Sequence, residues 1–171
     1  MSCRLAVLTA LAIAVGAAHV ARAHPGDPDP TFGPGGYVVT TVPGIRDANA
    51  LALQPDGKLV AAGNGFPGMT TSRFGLARFD SSGALDPTFG GGLGYVTTLI
   101  ADGVTRLDEL ALQTDGKLVA AGGATVGGNS DIALARYNAD GTLDMSFGSG
   151  GVVTGPALPG DQIARGAGDS E

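Results

Sequence analysis

The stretch "QPDGKLVAAG" occupies Gln54–Gly63 and returns as "QTDGKLVAAG" at Gln113–Gly122, 59 residues on, with nine of ten positions identical. Its Asp-Gly-Lys core is either a chemical motif used twice or a structural joint. A phosphate loop needs several glycines ahead of Lys-Ser/Thr and a helix after it, whose N-terminus holds the anion. Lys58 and Lys117 are each followed by Leu-Val-Ala-Ala instead. The joint reading fits better. Pro55 presets φ near about −65° for the second position of a type I turn, Asp56 suits the third, and Gly57 takes the left-handed position that follows. That is a three-residue hairpin loop with a glycine bulge. Thr114, Asp115 and Gly116 repeat it without the proline. A two-residue type I′ turn on Asp-Gly is the alternative geometry. Lys58 and Lys117 are expected at exposed strand starts.

The repetition extends well beyond the decapeptide. "DPTFG" stands at Asp29–Gly33 and Asp86–Gly90, and "DMSFG" follows at Asp144–Gly148. "FGLARFDSSGALD" from Phe74 aligns with "IALARYNADGTLD" from Ile132, and "GGYVVTTV" from Gly35 aligns with "GLGYVTTL" from Gly92 and, more loosely, "GGVVTGPA" from Gly150. A fixed period with small drift marks a repeat architecture with insertions in loops. Each unit reads as four short strands. In the first these are about Tyr37–Val42, Asn49–Gln54, Lys58–Gly63 and Arg73–Asp80; in the second, about Tyr95–Ile100, Asp108–Gln113, Lys117–Gly122 and Asp131–Asn138. Turn residues between the runs favour antiparallel hairpins. Along these strands small and apolar residues fall on both faces, Ala50 and Ala52 on one and Leu51 and Leu53 on the other. A sheet apolar on both sides needs cover on both sides. The expected fold is therefore all-β: tandem four-stranded antiparallel blades, β-propeller-like, with a β-sandwich as runner-up.

The segments "ALALQPDGKLVAAG", "LARYNADGTLD" and "DPTFG…GG" resemble the delta-60 repeat, a tandem bacterial repeat classed with β-propellers. The resemblance covers nearly all of the chain after the leader described below. It implies exported or surface proteins built of β-blades, and brings no catalytic residue set with it. The units fall at 24–85, 86–143 and a partial third at 144–171. The third never reaches another Asp-Gly-Lys hairpin. Closed propellers usually take about 4–8 blades, so two units and a fraction are too few to close a ring. The expectation is self-association or a truncated or frameshifted fragment of a longer repeat protein, in preference to a lone monomer.

Residues 1–23 read as a secretory signal peptide: Arg4 in a positive n-region, an apolar run from Leu5 to Ala18, and Ala21-Arg22-Ala23 as the cleavage site. The apolar run is short of the roughly 20 residues that span a bilayer. Cys3 would leave with this leader, so the mature chain would fold without disulfides. Loss of Arg4 and Arg22 would leave eight basic against 16 acidic side chains. That acidity disfavours nucleic acid and anionic membranes. The expected setting is periplasm, cell surface or medium, with self-association or a protein or glycan as partner and no membrane insertion after the leader is removed.

Catalytic chemistry finds little to work with. Only His24 remains after cleavage, at the new N-terminus, so His-based triads and His/Cys zinc sites lack their parts. An EF-hand loop set on Gly141 puts Arg136 and Phe147 at ligand positions and fails. Calcium in another loop geometry is the one cofactor left open; none is otherwise expected. Carboxylate chemistry of the glycosidase kind remains the enzymatic alternative, with Asp108 and Glu109 as the single-copy pair. The repeated residues read instead as structure. Asp86 and Asp144 are expected to pair with Arg78 and Arg136. Phe89 and Phe147, like Phe32, are expected as plugs between units, with Gly33, Gly90 and Gly148 permitting the bend.

Overall fold

A computed structural model describes residues 26–65, 72–101, 103 and 105–156. The leader 1–23, His24 and the tail from 157 lie outside the described residues. Eight strands form: β1 (Ala50–Leu53), β2 (Leu59–Gly65), β3 (Arg73–Phe79), β4 (Tyr95–Thr98), β5 (Thr105–Leu112), β6 (Leu118–Val126), β7 (Asn129–Tyr137) and β8 (Val152–Pro156). They make two four-stranded antiparallel sheets, β1-β2-β3-β4 (sheet A) and β5-β6-β7-β8 (sheet B). Strand order within each sheet is the order along the chain. Blades of a propeller are built this way, whereas sandwiches use Greek-key exchanges between sheets. The two sheets stack and close no ring.

The repeated decapeptide forms the hairpin of each sheet. Gln54 N–H donates to the Lys58 carbonyl at 2.8 Å and Gly57 N–H to the Gln54 carbonyl at 2.9 Å, with Gly57 at φ 82°. The Gln113–Lys117 turn repeats this with Gly116 at φ 83°. The Asp56 and Asp115 carboxylates each accept from the backbone N–H two residues on. This is the three-residue loop with a glycine bulge, not the type I′ alternative. The glycine closing the decapeptide has a separate reason. A Cβ at Gly63 would stand 2.7 Å from the Asp47 carbonyl carbon, and one at Gly122 2.9 Å from that of Arg106.

One expected strand is absent. Tyr37–Val42 has no ladder partner and is not a strand. Its counterparts β4 and β8 show why. Each pairs with the last strand of the preceding unit, β4 with β3 and β8 with β7. Among the described residues no strand precedes Tyr37 on which it could pair. Each sheet therefore takes its fourth strand from the start of the following unit. The remaining strands fall within a few residues of expectation, with β5 lengthened across a bulge between Leu107 and Glu109.

The core is the seam between the sheets. Ala52, Val60, Ala62, Phe74 and Leu76 of sheet A meet Leu107, Leu118, Ala120, Ala133, Ala135 and Tyr137 of sheet B. Full burial of each large side chain is worth about 1.5–3 kcal/mol, against about 0.5–1.5 for a typical hydrogen bond. Stacking therefore dominates. The expectation of cover on both faces fails at β1, where Leu51 and Leu53 are 63% and 64% exposed.

Replacing Gly57 or Gly116 with valine forces a β-branched residue into the left-handed region, at about 1–2 kcal/mol or more. Each variant is expected to unfold at a lower temperature by circular dichroism, with the native spectrum retained at low temperature.

Candidate docking surface

Arg78 and Asp86 lie at the centre of sheet A's connection to sheet B. The Thr88 N–H and hydroxyl donate to Asp86 Oδ1 at 2.9 and 2.8 Å. Asp86 Oδ2 stands 2.9 Å from Arg78 Nε and 3.1 Å from Lys58 Nζ. The Arg–Asp approach is a close charge contact rather than an aligned hydrogen bond. The Arg78 guanidinium lies 4.8 Å from the Phe89 ring centroid, a cation–π distance. Sheet B repeats the unit: Arg136 Nε donates to Asp144 Oδ2 at 2.8 Å, Lys117 Nζ is 3.0 Å from the same oxygen, and Arg136 stands 4.6 Å from the Phe147 centroid. The expected Arg–Asp pairs are present. Lys58 and Lys117 were expected only at exposed strand starts; both are half-buried and complete these clusters.

Burial by itself would raise the Asp86 carboxyl. The Thr88 hydrogen bonds, Lys58 and Arg78 outweigh it and hold the group well below the usual carboxylate range. Asp144 is lowered too, by the Ser146 hydroxyl and Lys117 first, against burial, with Arg136 adding to them.

From this cluster sheet A reaches sheet B. Arg78 Nη1 donates to the Ala139 carbonyl at 2.5 Å, and Gly90 N–H to the Asp140 carbonyl at 2.8 Å. Phe89 is fully buried and seats on the Asn138–Thr142 turn, where a Cβ on Gly141 would lie 2.7 Å from its ring. Asn64 Oδ1 accepts from Leu107 N–H at 2.9 Å, Asn49 Nδ2 donates to the Leu107 carbonyl at 2.8 Å, and Tyr137 Oη donates to Thr98 Oγ1 at 2.8 Å. Phe89 is thus the expected plug. Gly33, Gly90 and Gly148, expected to permit the bend, adopt left-handed φ of 64°, 63° and 56°.

The same face of sheet B is open. Val119, Ala121, Ile132, Leu134, Arg136 and Val153 stand where sheet A places Val60, Ala62, Phe74, Leu76, Arg78 and Val96. Phe74 is 0% exposed; Ile132 is 53%. Phe147 is half-buried, and no carbonyl of a further sheet meets Arg136 among the described residues. The outer face of sheet A carries Leu51, Leu53, Ala61, Ala77 and Phe79, the counterparts of Leu110, Leu112, Ala120, Ala135 and Tyr137 in the seam. Among the described residues the two sheets therefore present two unlike faces whose counterparts fit each other inside the seam.

Other candidates are weaker. A concavity of about 550 Å³ lies between Leu99–Ile100 and β8, and no titratable side chain lines it. Among the described residues no group of three or more His, Cys, Asp or Glu is placed to hold a metal. The turn carboxylates of Asp80 and Asp140 accept hydrogen bonds from Ser82 and Thr142. Asp108 pairs with Arg106 at the β5 bulge, and Glu109 is exposed on the open face. No helix among the described residues is long and apolar enough to cross a membrane.

A family described as "Domain of unknown function (DUF5122) beta-propeller" matches residues 54–89 and 113–147. Both repeat units are similar to that β-propeller family. Each matched segment opens at the hairpin glutamine and closes at the plug, Phe89 or Phe147. The shared pattern is thus the hairpin, the next strand and the Arg–Asp–Phe cluster. The chain matches no curated protein.

Asp86→Asn leaves Arg78 and Lys58 without their buried counter-charge and is expected to cost about 3–5 kcal/mol at neutral pH. Because Asp86 is depressed in the folded state, its contribution is present above the unfolded carboxylate range, near about pH 4, and fades as pH falls below it. Urea midpoints of the variant and the parent should converge on acidification. Asp144→Asn, beside the more exposed Arg136, should show a smaller loss.

Proposed function

We propose that this protein is an exported, non-enzymatic β-propeller-like module of the delta-60 repeat type, and that it acts as a binding scaffold through its sheet faces for a protein or glycan partner. The observation that carries this reading is the division of labour among its side chains. The recurrent charged residues are engaged with one another in the Lys–Arg–Asp clusters, while the open face of sheet B offers apolar side chains, a guanidinium and a half-buried phenylalanine. Such a mixture suits docking more than proton transfer, which needs a poised group in a cleft. Export follows from the leader at 1–23, and an acidic chain after it suits the periplasm, the cell surface or the medium.

Expression in a secreting host, followed by N-terminal sequencing, is expected to yield a chain starting at His24; full retention of residues 1–23 would overturn the export reading. Turnover of a glycoside panel that disappears in Asp108→Asn/Glu109→Gln would replace the scaffold with a carboxylate enzyme.

A further inference from the structure

The segment Asp29–Val42 holds a position that belongs, by repeat, to the end of a preceding unit. Gly33 N–H donates to the Ser82 carbonyl at 2.8 Å, as Gly90 N–H does to the Asp140 carbonyl at 2.8 Å. A Cβ on Gly83 would clash with Val38 Cγ2 and lie 3.6 Å from Phe32, as one on Gly141 meets Phe89. Buried Val42 covers the side of sheet A that carries Ala61 and Ala77. Yet this segment lacks what its counterparts have. It has no strand ladder, Val39 is 89% exposed, and a groove of about 330 Å³ remains between it and the sheet. It imitates the preceding unit without its strands.

The other end of the chain carries the real version. Asp144–Pro156 has the same pattern, and β8 is laddered to β7. Its Phe147 and Arg136 sit as Phe89 and Arg78 do, on a face whose counterpart is fully buried in the seam.

We propose that the open face of sheet B docks on the outer face of sheet A of a second copy of this chain, in the relation that sheet A bears to sheet B, and that Asp29–Val42 is a displaceable plug competing for that site. Phe147 of one copy then seats at Gly83 of the next in place of Phe32. Arg136 Nη1 donates to the Ser81 carbonyl of that copy, as Arg78 does to Ala139. Leu51 and Leu53, exposed in the single chain, become covered as Leu110 and Leu112 are. The contact is heterologous, so it makes a ring when the rotation closes. Two, three or four copies supply four, six or eight sheets, within the range of closed propellers of about 4–8 blades. Several positions depart from the internal seam: Gly123 replaces Asn64, Glu109 replaces Ala50, Ile132 replaces Phe74, and Gly155 and Phe79 stand in place of the hydrogen-bonded Thr98 and Tyr137. The asparagine latch is thus missing between copies, and with the plug to displace, assembly is concentration-dependent.

The proposal deepens the scaffold reading by naming the partner, and its test on purified mature chain is independent of export. Sedimentation velocity across a concentration series is expected to show discrete oligomers of two to four copies. Phe147→Ala and Arg136→Gln should weaken association by roughly tenfold or more, as loss of a central anchor does. Phe32→Ala, the same change at the equivalent repeat position, should strengthen it, and Val38→Ser should do likewise if Phe32→Ala fails to fold. Circular dichroism establishes that each variant is folded. A monomer throughout for the parent and both plug variants, or equal weakening by Phe32→Ala and Phe147→Ala, overturns the proposal.

Discussion

The contact on which the rest of this structure depends is the buried approach of Arg78 to Asp86. In isolation such a pair contributes little net stability, because desolvating two charges offsets their attraction. Here it converges three separate pieces of chain. Arg78 comes from β3, Asp86 opens the connection to β4, and Lys58 arrives from the hairpin of β1 and β2. Charge compensation at this one carboxylate thereby ties the hairpin, the third strand and the outgoing connection together. The guanidinium then spends its remaining donors on Thr88 and on a carbonyl of the following sheet. One side chain thus links the connection within one sheet to the turn of the next, alongside the apolar seam.

Much of this was legible in the sequence because repetition separates what a unit needs from what drifts. Turn chemistry at Asp56-Gly57 and Asp115-Gly116 fixed the hairpins without reference to anything distant, since a positive φ at glycine is a local demand. The Arg–Asp pairing and the phenylalanine plugs could be named because each recurs in register. Two things were not legible. The first is the partner of the leading strand in each unit. A repeat shows that Tyr37, Tyr95 and Val152 are equivalent, but not that each of the last two pairs with the sheet before it, and so Tyr37–Val42 read as a strand although it has no ladder partner among the described residues. The second is the reach of lysine. Lys58 looks like a solvated strand start because its partner Asp86 lies far along the chain; the recurrence of both residues in each repeat unit was the available signal.

The seam between the sheets shows how a chain so rich in alanine and glycine remains cohesive. Within each sheet Gly63 and Gly122 let neighbouring backbone at Asp47 and Arg106 approach where no Cβ fits, while alanines between the sheets let them come close enough for Phe74, Leu76, Leu107, Leu118 and Tyr137 to be fully enclosed. Polar groups enter that seam only with partners. Asn64 meets Leu107 and Asp47, Tyr137 meets Thr98, and Thr105 meets Ser72. A buried polar group without a partner would cost about 1–3 kcal/mol, so these contacts also select register.

At several equivalent places the two sheets differ in position and not in residue type. Val60 and Val119, Leu76 and Leu134, Arg78 and Arg136 are the same residue types at equivalent places, yet the first of each pair is buried and the second is at least partly exposed. A sequence that writes core residues onto an open face carries the pattern of the seam there, whether or not anything fills it. The two ends are not treated alike. Sheet A's outer face has a stand-in laid across it from within the chain, while sheet B's has none among the described residues. That asymmetry is what makes Phe32 and Phe147, identical in type and in repeat position, opposite in role: one occupies an acceptor site and the other presents a donor.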